Sequence, residues 1–270
     1  MGYDAAAIAA AELRFREGIW SAAPRDAVDE LEIRKQWFGP ILATVCAGLA
    51  DAAEMNMVQG AAEPGAVAGG HLANAIEWLR SWEVDYLVPV ASDRPESEAA
   101  EAWLAERGYE QGHTLRRFVR ALSSNGLEPA TEIDVRKLTA RATEGMSLIF
   151  ADAVGLSHLA TVPLLDLPEL DGWSCYSAYL EGREVACGAM LLGAGVAMLG
   201  LDATAAEARE RGCNTALIRR RLHDAASAGC HTVVAEACHV PGDRSPGASN
   251  LRREGFLEAG RSIAWHRPLR

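Results

Sequence analysis

The apolar positions of this chain change period from segment to segment, and those changes assign most of its elements. "SCYSAYLEGREVACGAMLL" alternates in twos on either side of Glu181-Gly182-Arg183, which predicts two strands joined as a hairpin. "AGVAMLGLDAT" adds a third strand after the Gly193–Gly195 turn. The period then lengthens: Ala216, Leu217, Leu222, Ala225 and Ala226 share one face of a helix that stops at Gly229, a residue suited to the left-handed cap. "HTVVAEA" is a short unbroken apolar run, as expected of a buried strand with a parallel neighbour. "SNLRREGF" predicts a short helix ending in glycine and "RSIAWHRPL" a last strand. Upstream, Leu138, Ala142, Met146, Ile149 and Phe150 in "IDVRKLTARATEGMSLIFADAVG" are spaced as on a helix. Hairpins followed by a strand–helix–strand crossover define an α/β protein.

The N-terminal part repeats the second half of that order. "EMNMVQG" predicts a strand, "AGGHLANAIEWLRSW" a helix, "VDYLVPV" a strand, "ESEAAEAWLAERGY" a helix and "TLRRFVRAL" a strand. A helix ends just before glycine-aromatic in both parts, at Gly108-Tyr109 and Gly255-Phe256, which suggests duplication. "LSSNGLEPATE", Leu122 to Glu132, gathers Ser, Asn, Gly and Pro between the two patterned regions. We therefore expect two similar halves in tandem, 1–125 and 131–270.

Composition narrows the function classes. The chain has 270 residues, 49% hydrophobic and 23% charged, which is ordinary for a soluble globular protein. A formal net charge of −11 argues against a general nucleic-acid binder; it suits mild attraction of a cationic amine, or solubility alone. "MGYDAAAIAAAELRFREG" is not patterned as a signal peptide, and no window approaches a membrane span. Six scattered cysteines, without framework spacing, are expected as reduced thiols in a cytoplasm. No metal is expected. Cys230-His231 and Cys238-His239 would lie about 26 Å apart on an extended strand at roughly 3.3 Å per residue.

One loop stands out in this acidic chain: "RERGCNT", Arg209 to Thr215, between the third strand and the helix. A glycine loop entering a helix leaves free backbone N–H groups that, with the helix dipole, suit an anion, above all a phosphate. Gly212 lets backbone approach closely, and Arg209 and Arg211 supply charge. A plain βα turn with solvated arginines fits the same spacing. The Walker loop and the dinucleotide fingerprint do not match.

Arg209-x-x-Gly212-x-Asn214, after a strand and before an amphipathic helix, resembles the acyl-CoA-binding motif of the GCN5-related N-acetyltransferases, usually Arg/Gln-x-x-Gly-x-Gly/Ala. "ASNLRREGF" resembles that family's closing region, with Asn250, Gly255 and Phe256 in place. The resemblance covers roughly Ile133 to Arg270. It implies a mixed, largely antiparallel sheet flanked by helices, with loop amides on the CoA pyrophosphate and the preceding strand offering backbone to the pantetheine and acyl group. The front half looks like a degenerate copy, since "GAAEPGAVAGGHLANAI" has no Arg-x-x-Gly where the phosphate loop would be. Asn214 replaces a smaller residue of the motif. Leu251 stands where the family often has a tyrosine that protonates the CoA thiolate.

The resemblance implies transfer of an acyl group, most often acetyl, from acyl-CoA to an amine of a small molecule by direct attack. The implied CoA-binding residues are Asp202, Ala203, Thr204, Arg209, Glu210, Arg211, Gly212, Cys213, Asn214, Thr215 and Asn250. The amides of Asp202, Ala203 and Thr204 serve the acyl end. Candidate bases are Asp202 at the strand end and Glu236 on the adjacent strand, with a surface aspartate and an arginine-paired glutamate as the bland alternatives; His239 is a third candidate. Arg219 to Arg221 could reach the 3′-phosphate or form a solvated face. Trp78, Trp82 and Trp103 are expected as core and interface anchors. Gly155 to Trp173 could cover a substrate or simply connect. A non-catalytic CoA-binding or regulatory protein, an acyl carrier protein as donor, and a homodimer all stay open.

Overall fold

The computed structural model describes residues 3–122, 132–239 and 245–267. In chain order the elements are α1 (Ala5–Ser21), α2 (Arg25–Glu30), β1 (Ile33–Phe38), β2 (Ile41–Cys46), β3 (Met57–Gln59), α3 (His71–Arg80), β4 (Val88–Ala91), α4 (Ser97–Glu106) and β5 (Glu110–Ala121). They continue as β6 (Asp134–Lys137), α5 (Thr143–Val154), β7 (Trp173–Leu180), β8 (Arg183–Gly193), β9 (Val196–Thr204), α6 (Cys213–Ser227), β10 (Thr232–His239), α7 (Pro246–Arg253) and β11 (Leu257–His266). Strands pair mostly antiparallel, with parallel pairing between β9 and β10 and at the Met57–Leu87 bridge. The expected mixed, largely antiparallel sheet flanked by helices is present. Among the described residues no helix is long and apolar enough to cross a membrane.

The order strand–strand–strand–helix–strand–helix–strand occurs twice, as β1-β2-β3-α3-β4-α4-β5 and as β7-β8-β9-α6-β10-α7-β11. Its closing turns match. Gly108 (φ 76°) and Gly255 (φ 79°) both lie in the left-handed region after a helix. The next residue reaches back in each case: Tyr109 N–H to Leu104 C=O at 3.1 Å, Phe256 N–H to Leu251 C=O at 3.0 Å. That bond closes a Schellman cap, and the aromatic ring drops into the core, which is why a small chiral-free residue precedes a large apolar one twice.

The chain forms two compact units that are not contiguous in sequence. Unit 1 comprises Met1–Pro24, Phe118–Ala237 and Arg244–Glu258; unit 2 comprises Arg25–Arg117, Cys238–Asp243 and Ala259–Arg270. Two strands are divided between the units: β5 belongs to unit 2 through Arg117 and to unit 1 from Phe118, and β11 to unit 1 through Glu258 and to unit 2 from Ala259. In unit 2, β11 pairs antiparallel with β4, from Ala91–Ser262 to Val88–Trp265. In unit 1 the end of β5 lies beside β10, and Leu122 N–H donates to His231 C=O at 2.9 Å. The linker expected near residues 122–132 lies largely outside the described residues.

Unit 2 packs Leu72, Ala75, Ile76 and Leu79 of α3 against Ile41, Ala43 and Val45 of β2. Trp78, Trp82 and Trp103 border this core half-buried, with Trp78 and Trp82 edge-on at 6.0 Å. Unit 1 is a sheet with a core on each face. On one face α6 and α7 bury Leu217, Leu222 and Leu251. The other face is covered by α1 and α5. Helix α1 begins at Asp4, whose carboxylate caps the Ala6 and Ala7 amides at 3.0 Å. Its Gly18 lies flat on the Trp173 indole, where a Cβ would come within 2.6 Å, and its Phe15 ring fills the space beside Gly200. The helix expected from Leu138 onward starts later. Asp134–Lys137 is β6, and a 3-10 turn at Ala140–Ala142 leads into α5, because Leu138 N–H is taken by Cys175 C=O on the sheet edge.

Candidate functional site

The site is built in unit 1 where the register of β9 with β10 ends. The parallel register of β9 and β10 runs from Val196–Thr232 to Leu199–Ala235, and both strands continue past it, β9 through Gly200–Thr204 and β10 through Glu236. On its other side β9 carries a bulge against β8. Ala189 faces Gly200 and Cys187 faces Ala203, so Leu201 and Asp202 together oppose the single residue Gly188. Leu201 has φ 54°, the turn that an extra strand residue requires. A bulge on a strand that has just lost its parallel partner frees backbone from the ladder.

A buried arginine fixes that bulge. Arg221, on α6, is fully buried. Its Nη1 donates to Ala189 C=O at 2.9 Å and to Asp202 Oδ2 at 3.1 Å, Nη2 donates to Asp202 Oδ1, and Nε donates to Leu217 C=O at 3.1 Å. Gly188 makes room for it: a Cβ there would meet Nη1 at 2.7 Å. Asp202 also accepts from Asn214 Nδ2 at 3.2 Å. Its carboxylate is thus committed to fastening the bulge to α6. It is the counter-charge of the buried Arg221 guanidinium.

After β9 the chain makes a 3-10 turn, Ala206–Ala208, and a tight turn through Arg209–Gly212 into α6. Glu210 (φ 63°) and Gly212 (φ 85°) both lie in the left-handed region. Gly212 N-caps α6 without any side-chain cap. Ala216 N–H donates to Gly212 C=O at 3.0 Å, and among the described residues no backbone carbonyl outside the helix accepts from the amides of Gly212 to Thr215, the Cys213 N–H facing its own thiol. Those donors and the helix dipole form an anion cradle. Arg209, Glu210, Arg211 and Gly212 are exposed around it. Among the described residues Arg209 makes no ion pair, and Arg211 touches the exposed Glu181 at 3.5 Å.

The side chains of the first turn face inward. Cys213 is buried, and burial pushes its thiol up, so it offers its amide and not a nucleophile. Asn214 accepts from Asn250 Nδ2 at 2.9 Å while donating to Asp202, and Asn250 also accepts from Arg253 at 3.1 Å. This chain of polar contacts ties β9, α6 and α7 together, and it accounts for an asparagine where a smaller residue was expected. Ala203 is buried and Thr204 half-buried at the loop end of β9.

The other candidates fall into place individually. Glu236 on β10 is ion-paired with Arg16 of α1, a residue 220 positions away that no sequence pattern singles out. Leu251 is buried in the α6–α7 core and can donate no proton. Arg219 pairs with Glu254 at 3.0 Å and Arg220 with Asp224 at 3.1 Å. With Arg221 buried, all three arginines at 219–221 have partners within the unit, so neither a wholly solvated face nor a free set of phosphate ligands describes them. The hydroxyl of Tyr176 is held by Asp224 at 2.8 Å. His239 ends β10, and its side chain lies outside the described residues.

No family model matches the chain, and no curated protein matches it. Solved structures do. A GCN5-related N-acetyltransferase from Kribbella flavida superposes with TM-score 0.66 at 16% identity, over 98% of this chain and 96% of that one. A GCN5-related N-acetyltransferase from Sphaerobacter thermophilus gives 0.58 at 17% identity, over 85% and 78%. A tandem protein of the same superfamily from the clavulanic acid biosynthesis pathway gives 0.58 at 14% identity, over 85% and 79%. With the repeated element order, the β9 bulge and the glycine-capped entry to α6, these likenesses establish that the chain has the fold of the GCN5-related N-acetyltransferases.

Proposed function

We propose that this chain is an acyl-CoA-dependent N-acyltransferase, most simply an acetyltransferase of small-molecule amines, working in the cytoplasm. The observation that carries the reading is the continuity of the β9 bulge, the end of the β9–β10 register and the first-turn amides of α6, which among the described residues meet no carbonyl outside the helix. The amides of 210–215 would take the pyrophosphate, with Arg209 and Arg211 at its flank. The backbone of Asp202, Ala203 and Thr204, beyond the end of the β9–β10 register, would take the thioester carbonyl and the charge that develops on its oxygen. Asn250 supports the cradle through Asn214.

In this reading the amine nitrogen attacks the thioester carbon, the C–N bond forms, the C–S bond breaks and the CoA thiolate leaves. Glu236 is the base that takes the ammonium proton once Arg16 turns aside. Leu251 leaves the thiolate to be protonated by solvent. Isothermal titration with acetyl-CoA tests the site: wild type should bind and Gly212→Asp should not, because it adds bulk and negative charge at the pyrophosphate. Equal binding by the two proteins refutes the assignment.

A second reading is favoured by the engagement of both candidate carboxylates, Asp202 with Arg221 and Glu236 with Arg16. It is a CoA-binding protein without turnover. Thiol release from acetyl-CoA across a panel of amines separates the two; binding with no release under any acceptor, from CoA or from an acyl carrier protein, selects the second.

A further inference from the structure

The loop from residue 60 to residue 70 stands between β3 and α3 as residues 205–212 stand between β9 and α6. Both loops end on a glycine in the same left-handed conformation, Gly70 at φ 73°, ψ 4° and Gly212 at φ 85°, ψ 1°. Neither helix has a side-chain cap. What differs is the partner of the loop amides. In unit 2 the carboxylate of Glu96, the residue that opens α4, lies across the loop. Its Oε1 accepts from Gly65 N–H at 2.6 Å and its Oε2 from Val67 N–H at 3.1 Å. These two donors hold the Glu96 carboxyl below the ordinary glutamate range.

The surrounding backbone is folded to keep them aimed. Gly69 N–H donates to Gly65 C=O at 2.9 Å and Leu72 N–H to Ala66 C=O at 2.9 Å. Glu96 is fixed from its own side, its N–H donating to Ala62 C=O at 3.1 Å. Gly65, at φ 82°, has nothing within 4 Å of where a Cβ would stand, so its glycine serves the backbone turn and not a tight contact. Two neighbouring amides converging on the two oxygens of one anion make a nest, the geometry that proteins use for phosphates.

We propose that loop 60–70 is a second anion seat of this fold, occupied by the chain's own Glu96, and that this internal carboxylate keeps phosphoryl groups out of unit 2. The seat takes a carboxylate or a phosphoryl oxygen pair equally well. A covalently attached tenant at very high effective concentration excludes a free one. The proposal concerns unit 2 and does not depend on acyl-CoA binding at α6.

The test uses the full chain and inorganic pyrophosphate, in a Gly212→Asp parent so that an anion near α6 does not enter the result. Glu96→Ala and Glu96→Ser vacate the seat; Glu96→Gln keeps it filled by a side-chain amide. Both vacating variants should bind pyrophosphate at least tenfold more tightly than the parent and gain melting temperature in it. Glu96→Gln should do neither. A vacating variant that is unfolded in plain buffer should fold when pyrophosphate is added. Vacated proteins that ignore pyrophosphate, or a Glu96→Gln protein that binds it as well as they do, would overturn the proposal.

Discussion

Asp202 and Arg221 offer the sharpest test of how the bulge is held. The guanidinium is wholly buried, whereas the carboxylate keeps 31% of its side-chain surface exposed. Asp202→Ala therefore leaves a buried cation with only the carbonyls of Ala189 and Leu217 as partners. Removing one member of a buried pair costs about 3–5 kcal/mol. At about 2–4 °C per kcal/mol for a chain of this size, the melting temperature should fall by about 6–20 °C. Arg221→Met removes the buried charge and leaves a carboxylate that water already reaches, so it should cost less than Asp202→Ala. The double variant should be more stable than Asp202→Ala alone, since it restores an apolar filling and strands no charge. Urea unfolding followed by circular dichroism gives all the comparisons in one cycle. An Asp202→Ala protein within about 1 kcal/mol of wild type would refute the argument that the pair is energetically buried. A double variant less stable than either single one would do the same.

Three further outcomes are expected. Glu236→Gln should keep acetyl-CoA affinity and lose about 10²-fold or more in turnover if Glu236 takes the ammonium proton; unchanged turnover removes it from that role. Glu96 has a folded-state pKa below its unfolded value, so its contribution is present above about pH 4.3, the unfolded glutamate value, and is lost as pH falls below it. Acid melts of wild type and Glu96→Gln should accordingly differ at neutral pH and converge in that window; curves offset by the same amount at every pH would contradict the amide contacts. Cys238 is the exposed cysteine of the six, while burial pushes the thiols of Cys46 and Cys175 up to about 11 and about 12. Ellman's reagent at about pH 8 should titrate one thiol quickly and the rest on unfolding; rapid release of several would mean that the cores around Cys213 and Cys187 are open.

Much of unit 1 was legible because its signals are local. The Glu181-Gly182 hairpin, the glycine at 212, the stop at Gly229 and the two glycine-aromatic closures each depend on conformations that few residue types adopt. Period alone could have placed Arg221 in the core, since it is four residues from Leu217 and four from Ala225, both on the buried face. Its charge argued the other way, and only the carboxylate waiting on β9 reverses that. Helix α1 gave little periodic signal because several of its inward positions are small, among them Ala11 and Gly18, the latter lying against Trp173.

What the sequence determined by itself is the order of elements from β7 to β11, the conformation of their turns and the presence of one cationic, glycine-capped helix entrance. What only the tertiary structure decided is which charges cancel. Arg16 meets Glu236, Arg221 meets Asp202, and Glu96 closes the loop at Gly65. Turn and period act over a few residues of one backbone. The partner of a charge is set by where distant strands run, and no local pattern encodes that path.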